Sequence, residues 1–196
     1  RVFHATHSAH REFLAHAEAR CAHHRQGTTG CTRCIDVCST EAIRGDGQRI
    51  QVDAALCAGC GGCATVCPTG SARHVFPAPG ELMARLERGL AAYAGAGGRD
   101  AVVLVHAASR RDAVHAPGHE GRGLPARVLP FEVHDVAAFG LDYALAAICY
   151  GAAQLRVVVH AGQAESYLAA LREQYAFGNL ILAALGLGEG RLELLE

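Results

Sequence analysis

The stretch Cys57-Ala58-Gly59-Cys60-Gly61-Gly62-Cys63-Ala64-Thr65-Val66-Cys67-Pro68 decides the reading of this chain. Its spacing is C-x2-C-x2-C-x3-C, followed at once by proline. Two-residue gaps let successive thiolates curl around one metal-sulfur core, while the fourth cysteine, opening a helix-like turn, points the other way. Three ligands need a fourth from elsewhere, and a second copy of the pattern stands 29 residues upstream. Cys31, Cys34 and Cys38 map onto Cys60, Cys63 and Cys67, with Val37 on Val66 and Thr40 on Thr69. The copy breaks at Thr28, where Cys57 would fall and where no thiolate is supplied. Cys21, ten residues before Cys31, is the substitute, because Gly27 and Gly30 in a small, polar loop let the chain bend back.

The complete run is that of bacterial ferredoxins carrying [4Fe-4S] clusters, and residues 21–79 resemble a dicluster 2[4Fe-4S] ferredoxin. The resemblance implies crossed ligation: Cys21, Cys31, Cys34 and Cys67 for one cluster, Cys57, Cys60, Cys63 and Cys38 for the other. Two departures stand out. Ser39 replaces the proline that usually follows the fourth cysteine, and the first ligand of the first motif is moved to Cys21. The first site is therefore either a [4Fe-4S] cluster with unusual ligand spacing or a three-iron [3Fe-4S] site. Zinc is the competing metal, since paired C-x2-C units also make tetrahedral thiolate sites; it requires neither the third cysteine nor the Cys-Pro terminator. A secreted disulfide framework would spread its cysteines, whereas eight of the nine crowd between residues 21 and 67. Cys149 stands alone in an alanine-rich stretch and reads as a small buried core residue.

With 196 residues, 51% hydrophobic and 19% charged, the chain can bury a real core. A formal charge of -1 argues against a dedicated nucleic-acid binder, and no apolar run approaches membrane-span length. The sequence begins at Arg1 without an initiator Met and is read as part of a larger polypeptide or complex. Residues 1–79 hold eight Arg against six Asp or Glu, to which two oxidised cubanes with their thiolates add about -4. Such a modest balance suits a module held inside an assembly, where long-range steering of a mobile partner is unnecessary. Iron-sulfur chemistry and reduced thiols point to the cytoplasm.

The expected architecture is an α+β ferredoxin-type dicluster domain followed by a small α/β domain with a mainly parallel sheet. Residues 1–79 form the first, 80–98 a helix and linker, and 99–196 the second. Within the first, residues 4–25 have helix-forming composition, with Phe13 and Leu14 apolar and His4, His7 and His10 near one solvated face. His23 and His24 are read as bystanders rather than ligands. Ala42 to Val52 reads as a hairpin turning at Gly45-Asp46-Gly47. Ile35, Val37, Ile43, Ile50, Val52, Leu56 and Val66 are expected to pack around the clusters, and Gly59, Gly61 and Gly62 to let backbone amides approach them.

Pro77 and Pro79 close this domain, and Leu82, Leu86 and Leu90 then mark an amphipathic helix ending in Gly95-Ala96-Gly97-Gly98. Beyond it, strands are expected over 101–105, 127–133, 155–160 and 191–194, a loop up to 123, and helices over 136–150 and 164–185. No G-x-G-x-x-G, Walker sequence or G-x-S-x-G elbow is present in a productive context. Leu145-Ala146, Tyr150-Gly151-Ala152, Val157-Val158-Val159 and Gly178-Asn179 make residues 125–196 similar to the delta-subunit domain of methyl-viologen-reducing-type hydrogenases. That family places cysteines at its strand ends. Here His134-Asp135 and His160-Ala161 stand there, so the resemblance implies a docking platform without a third cluster.

The functional expectation is an electron-transfer protein or domain relaying single electrons through two [4Fe-4S] clusters to or from a redox partner such as a dehydrogenase or reductase subunit. No catalytic residue is assigned. The alternative is a cluster-fed oxidoreductase whose small-molecule site uses His134, Asp135 and His160, with Glu132 and Asp142, at the carboxyl edge of the sheet; Asp135 also suits a helix N-cap. An oxygen sensor would need only one labile cluster.

Overall fold

In the computed structural model, which describes residues 13–24, 30–47, 49–121 and 123–195, the 29-residue repeat of the sequence becomes two structural units. Helices α1 (Arg33–Asp36) and α2 (Gly62–Thr65) are single turns at that offset, and β2 (Ile43–Asp46) and β4 (Ala72–His74) begin at it too. A lone strand leaves its backbone donors and acceptors unpaired, so each of these needs a neighbour. Strand β2 finds one downstream, β3 (Arg49–Val52), with Ile43 opposite Val52; the hairpin forms as expected but turns later, since Gly45 and Asp46 belong to the strand, opposite Ile50 and Arg49. Strand β4 pairs instead with β1 (Leu14–His16), placing His16 opposite Ala72 and Leu14 opposite His74.

The helix expected over 4–25 is thereby overturned where the chain is described. Leu14–His16 is a strand and Glu18–Arg20 a single 3-10 turn. Helix-forming composition yields because β4 offers a free edge that only this segment fills, and tertiary pairing overrides propensity. His4, His7 and His10, like Gly27 and Thr28, lie outside the described residues.

Helix α3 (Pro79–Gly95) follows, with proline in its first turn and Leu82, Leu86 and Leu90 buried at the predicted spacing. Then come β5 (Val102–Ala107), α4 (Arg111–His119), β6 (Val128–Val133), α5 (Leu141–Cys149), β7 (Gln154–Val158), α6 (Glu165–Ala184) and β8 (Leu192–Leu195). The four strands form one sheet in the order β6-β5-β7-β8, every pair parallel. This is the α/β arrangement that the alternating pattern predicts. Val103, Val105, Leu155 and Val157 on its two central strands are at most 1% exposed, as a sheet covered on both faces requires.

Three expectations differ here. The glycine, proline and histidine-rich stretch before residue 123 contains α4, which accommodates Pro117 near its end. The helix expected over 136–150 is split into a 3-10 turn at Val136–Ala138 and α5. Asp135 caps the first piece, its Oδ1 accepting from the Ala137 amide at 2.9 Å. Phe139 then turns fully inward against Tyr143 and Phe131, at centroid distances of 5.2 and 5.9 Å. Cys149 is exposed, not a core residue, because the buried positions of α5 are Tyr143, Ala144, Ala147 and Ile148. Asn179 docks β8 on α6, its side chain donating to the Leu192 carbonyl at 2.9 Å and accepting from the Leu192 amide at 3.0 Å.

The cysteine-bearing segment and the sheet share one apolar core, which reaches Val37 and packs against Cys60, Cys63 and Val66. Thr65 Oγ1 donates to the Ala137 carbonyl at 2.6 Å, Gln174 Nε2 to the Thr65 carbonyl at 2.9 Å, and Ser166 Oγ to the Val37 carbonyl at 3.1 Å. The partners belong to the segment leaving β6 and to the first half of α6, which follows β7. In open α/β folds, ligands bind beyond the carboxyl ends of the strands. In this chain the cysteine-bearing segment occupies that position.

Candidate functional site

Eight cysteines line two cavities. Cys21, Cys31, Cys34 and Cys67 surround the first; Cys38, Cys57, Cys60 and Cys63 surround the second. Each wall thus takes three thiols from one side of the repeat and the last cysteine of the opposite copy. All are free thiols. The remaining walls follow the repeat: Thr69, Ser71 and Ala72 at the first cavity correspond to Thr40, Ala42 and Ile43 at the second. Even the sulfur hydrogen bonds are duplicated, since Cys38 Sγ and Thr40 Oγ1 share one at 3.7 Å, as do Cys67 Sγ and Thr69 Oγ1.

Cys21 looks displaced when counted from Cys31, but not when counted from its strand. Cys21 follows the end of β1 by five residues and Cys57 follows the end of β3 by five, so the two segments correspond at an offset of 36. The irregularity is seven extra residues between Cys21 and Cys31. His23 braces that loop: it is 2% exposed, and its Nδ1 and Nε2 lie 3.1 and 3.2 Å from the carbonyl oxygens of Cys31 and Gly47.

The electrostatics of the thiols follow their setting. Burial, then the neighbouring Cys21, Cys67 and Cys31, push Cys34 up to about 11. Burial and the surrounding Cys60, Cys57, Cys34 and Cys38 raise Cys63 further still. Cys60 is raised by burial against a hydrogen bond from the Gly62 backbone. Cys67 moves the opposite way: burial works to raise it, but hydrogen bonds from Ala72, Thr69 and Ser71 together outweigh burial and hold it below its ordinary value. The Ala72 amide donates to its Sγ at 3.3 Å. Four thiolates in one buried cavity repel one another unless a cationic core replaces their protons, and soft sulfur donors suit iron-sulfur assemblies. Among the described residues, no group of three or more His, Cys, Asp or Glu forms a site for a single metal ion. Four thiols per cavity, unbridged and partly hydrogen-bonded, fit a polynuclear core.

The loop over the second cavity is fixed by an imidazole-phenyl stack. Phe13 lies flat against His134 at 5.9 Å and His74 at 6.5 Å. His74 Nε2 lies 3.0 Å from the Gly59 carbonyl and His134 Nε2 3.4 Å from that of Ala58. This packing, with the backbone, explains two glycines. Gly59 has φ 69°, and a Cβ there would sit 2.7 Å from the Phe13 ring. Gly61 has φ 82°, and its Cβ would meet that of Ala138 at 2.6 Å. Gly62 has neither constraint, its nearest neighbour being Tyr167 Cβ at 3.4 Å. Leu56, expected to pack around a cluster, instead sits in the turn before Cys57 and is 45% exposed. Gly61→Ala should cost roughly 2–4 kcal/mol, combining left-handed strain with overpacking. Gly70→Ala, at φ 61° in open space, should cost about 1–2 kcal/mol. Parallel denaturant titrations check the difference.

The polar residues expected to gather at the sheet edge are each engaged separately. Asp135 caps, Glu132 is gripped by the Arg111 guanidinium, His134 stacks on Phe13, and His160 Nδ1 accepts from the Gly162 amide at 3.1 Å. Asp142 faces a different cavity, shared with Arg73 and Gln174. A residue the sequence pattern did not single out does line a site: His16, at the end of β1, lines the first cavity. The helical reading of residues 4–25 concealed it, because Leu14–His16 is a strand only through its pairing with β4.

Against this geometry, the family model described as 4Fe-4S dicluster domain matches residues 29–71. That part of the chain is a ferredoxin-type dicluster segment, and it supports iron-sulfur electron transfer. The match begins beyond Cys21. No curated protein and no solved structure matches the chain. Among the described residues no helix is long and apolar enough to cross a membrane.

Proposed function

We propose that this chain relays single electrons through two [4Fe-4S] clusters, one held by Cys21, Cys31, Cys34 and Cys67 and the other by Cys38, Cys57, Cys60 and Cys63. The observation that carries this reading is the division of eight thiols into two four-thiol cavities, each completed by the last cysteine of the opposite copy. Bound clusters of this kind supply a one-electron redox couple each. The protein's own contribution is to exclude water with Val37, Ile43 and Ala72, and to direct the Thr40 and Thr69 hydroxyls and the Ala72 amide at sulfur. Cys34 of the first cavity contributes to the electrostatic environment of Cys63 in the second, which supports two neighbouring sites suited to a relay.

The partner in this reading is a redox protein, such as a dehydrogenase or reductase subunit, within a larger polypeptide or complex in the cytoplasm. The α/β part serves as a platform in this reading, the role implied by the resemblance of its sequence motifs to the hydrogenase delta-subunit domain. A second reading, cluster-fed reduction of a small molecule, draws on a cavity of about 400 Å³ beside Cys67, bounded by Arg73, Asp142, Tyr143 and Gln174. Saturable reoxidation of the reduced protein by small acceptors, lost in Asp142→Ala, would favour that reading.

Iron, acid-labile sulfide and zinc per chain, measured on anaerobically purified protein, test the main proposal. About eight iron and eight sulfide are expected. About four of each would mean that only one site is functional, and zinc without sulfide would replace the relay by a structural metal protein.

A further inference from the structure

The two cavities are related by the repeat, and the relation is close enough to show where they differ chemically. Strands β1 and β3 correspond at the 36-residue offset that also relates Cys21 to Cys57. Their pairings superimpose: His16 faces Ala72 as Val52 faces Ile43, and Leu14 faces His74 as Ile50 faces Gly45. The position held by aliphatic Val52 in one unit is therefore held by His16 in the other. His16 lines the first cavity together with its four cysteines. Its Nε2 is buried and has no hydrogen-bond partner within the protein.

A buried ring nitrogen without a partner is costly, and native folds leave few of them. The other histidine of this two-stranded sheet makes the contrast clear, because His74 Nε2 is already engaged with the Gly59 carbonyl at 3.0 Å. Among the described residues, only His16 has a ring nitrogen both hidden from water and uncommitted at a cysteine-walled cavity. Sulfur-rich groups accept hydrogen bonds, and a donor stabilises the more electron-rich oxidation state.

We infer that His16 Nε2–H donates a hydrogen bond to the sulfur-bearing group held in the first cavity and raises its reduction potential above that of the second. The role is that of a positioning and tuning residue, not a ligand. It rests on the two-cluster reading. It makes the relay directional: electrons settle on the side of Cys21, Cys31, Cys34 and Cys67.

The test is a voltammetric or spectroscopic redox titration of the full chain beside iron and sulfide analysis. His16→Val installs the residue of the other unit, and His16→Gln keeps an N–H donor. In His16→Val the more positive of two one-electron waves should move down by about 59 mV, a tenfold change in the reduction equilibrium. The other wave and the iron content should stay unchanged, and His16→Gln should restore part of the shift. Unmoved potentials at full iron content would overturn the inference and leave the two-cluster reading standing. Loss of iron in both variants would make His16 a ligand or a structural support, and would equally overturn it. A wild-type chain without two clusters would remove both readings together.

Discussion

Cys60→Ala is expected to lower iron and sulfide from about eight to about four per chain while the first site keeps its own signal. Cys60 lies in the second cavity, where the thiols of Cys57, Cys63 and Cys38 surround the same space. Burial raises the Cys60 thiol, so its thiolate form is disfavoured unless a cation compensates it. Removing one of four ligands from such a wall leaves an open coordination position. The mirror experiment, Cys21→Ala, should deplete the first site and spare the second. Cys149→Ala should change neither, because that exposed thiol lines neither cavity. Equal iron in wild type and Cys60→Ala would sink the assignment of ligands.

Much of this site was legible because thiol spacing is a local property. The three cysteines of each copy, the hairpin between the copies and the leucine stripe of α3 depend on residues close in sequence; the cysteines and leucines lie where the pattern put them, and the hairpin forms with its turn shifted past Asp46. Parallel strands of continuous Val and Leu were equally readable. What failed depended on partners far along the chain. The segment from Leu14 to His16 has no strand signature of its own; it is a strand because β4, nearly sixty residues away, lacks a partner. The same error hid the 36-residue correspondence that places Cys21, and hid His16 with it. Likewise, the glycines of the second loop could be counted from the sequence, but not assigned to Phe13 and Ala138, whose positions depend on tertiary packing. Cys149 shows the limit of composition: its alanine-rich neighbours suggest burial, yet its own position faces out from α5.

Phe139→Ala should be the most destabilising single change in the α/β part, about 3–5 kcal/mol. The ring is fully buried, packs on Tyr143 and Phe131, and sits where the 3-10 turn breaks before α5. The Phe139 carbonyl accepts from Tyr175 Oη at 2.8 Å, and burial pushes that hydroxyl far above its ordinary value, so the interaction is between neutral groups across the core. Truncating the ring opens a cavity that Gly140 and Ala138 are too small to close. For a chain of this size such a loss corresponds to a fall of roughly 10 °C in the thermal midpoint. The consequence reaches the second cavity. Ala137 and Ala138 hold Thr65 and Gly61 in place, so a loosened turn frees the loop that carries Cys60 and Cys63. Iron released to a chelator should therefore appear faster from the second site than from the first. Phe177→Ala provides the comparison, because that ring is 57% exposed and its removal should stay within about 0.5 kcal/mol. A Phe139→Ala protein with an unchanged midpoint and unchanged iron release would show that the sheet and the cysteine-bearing segment are not stabilised through this turn.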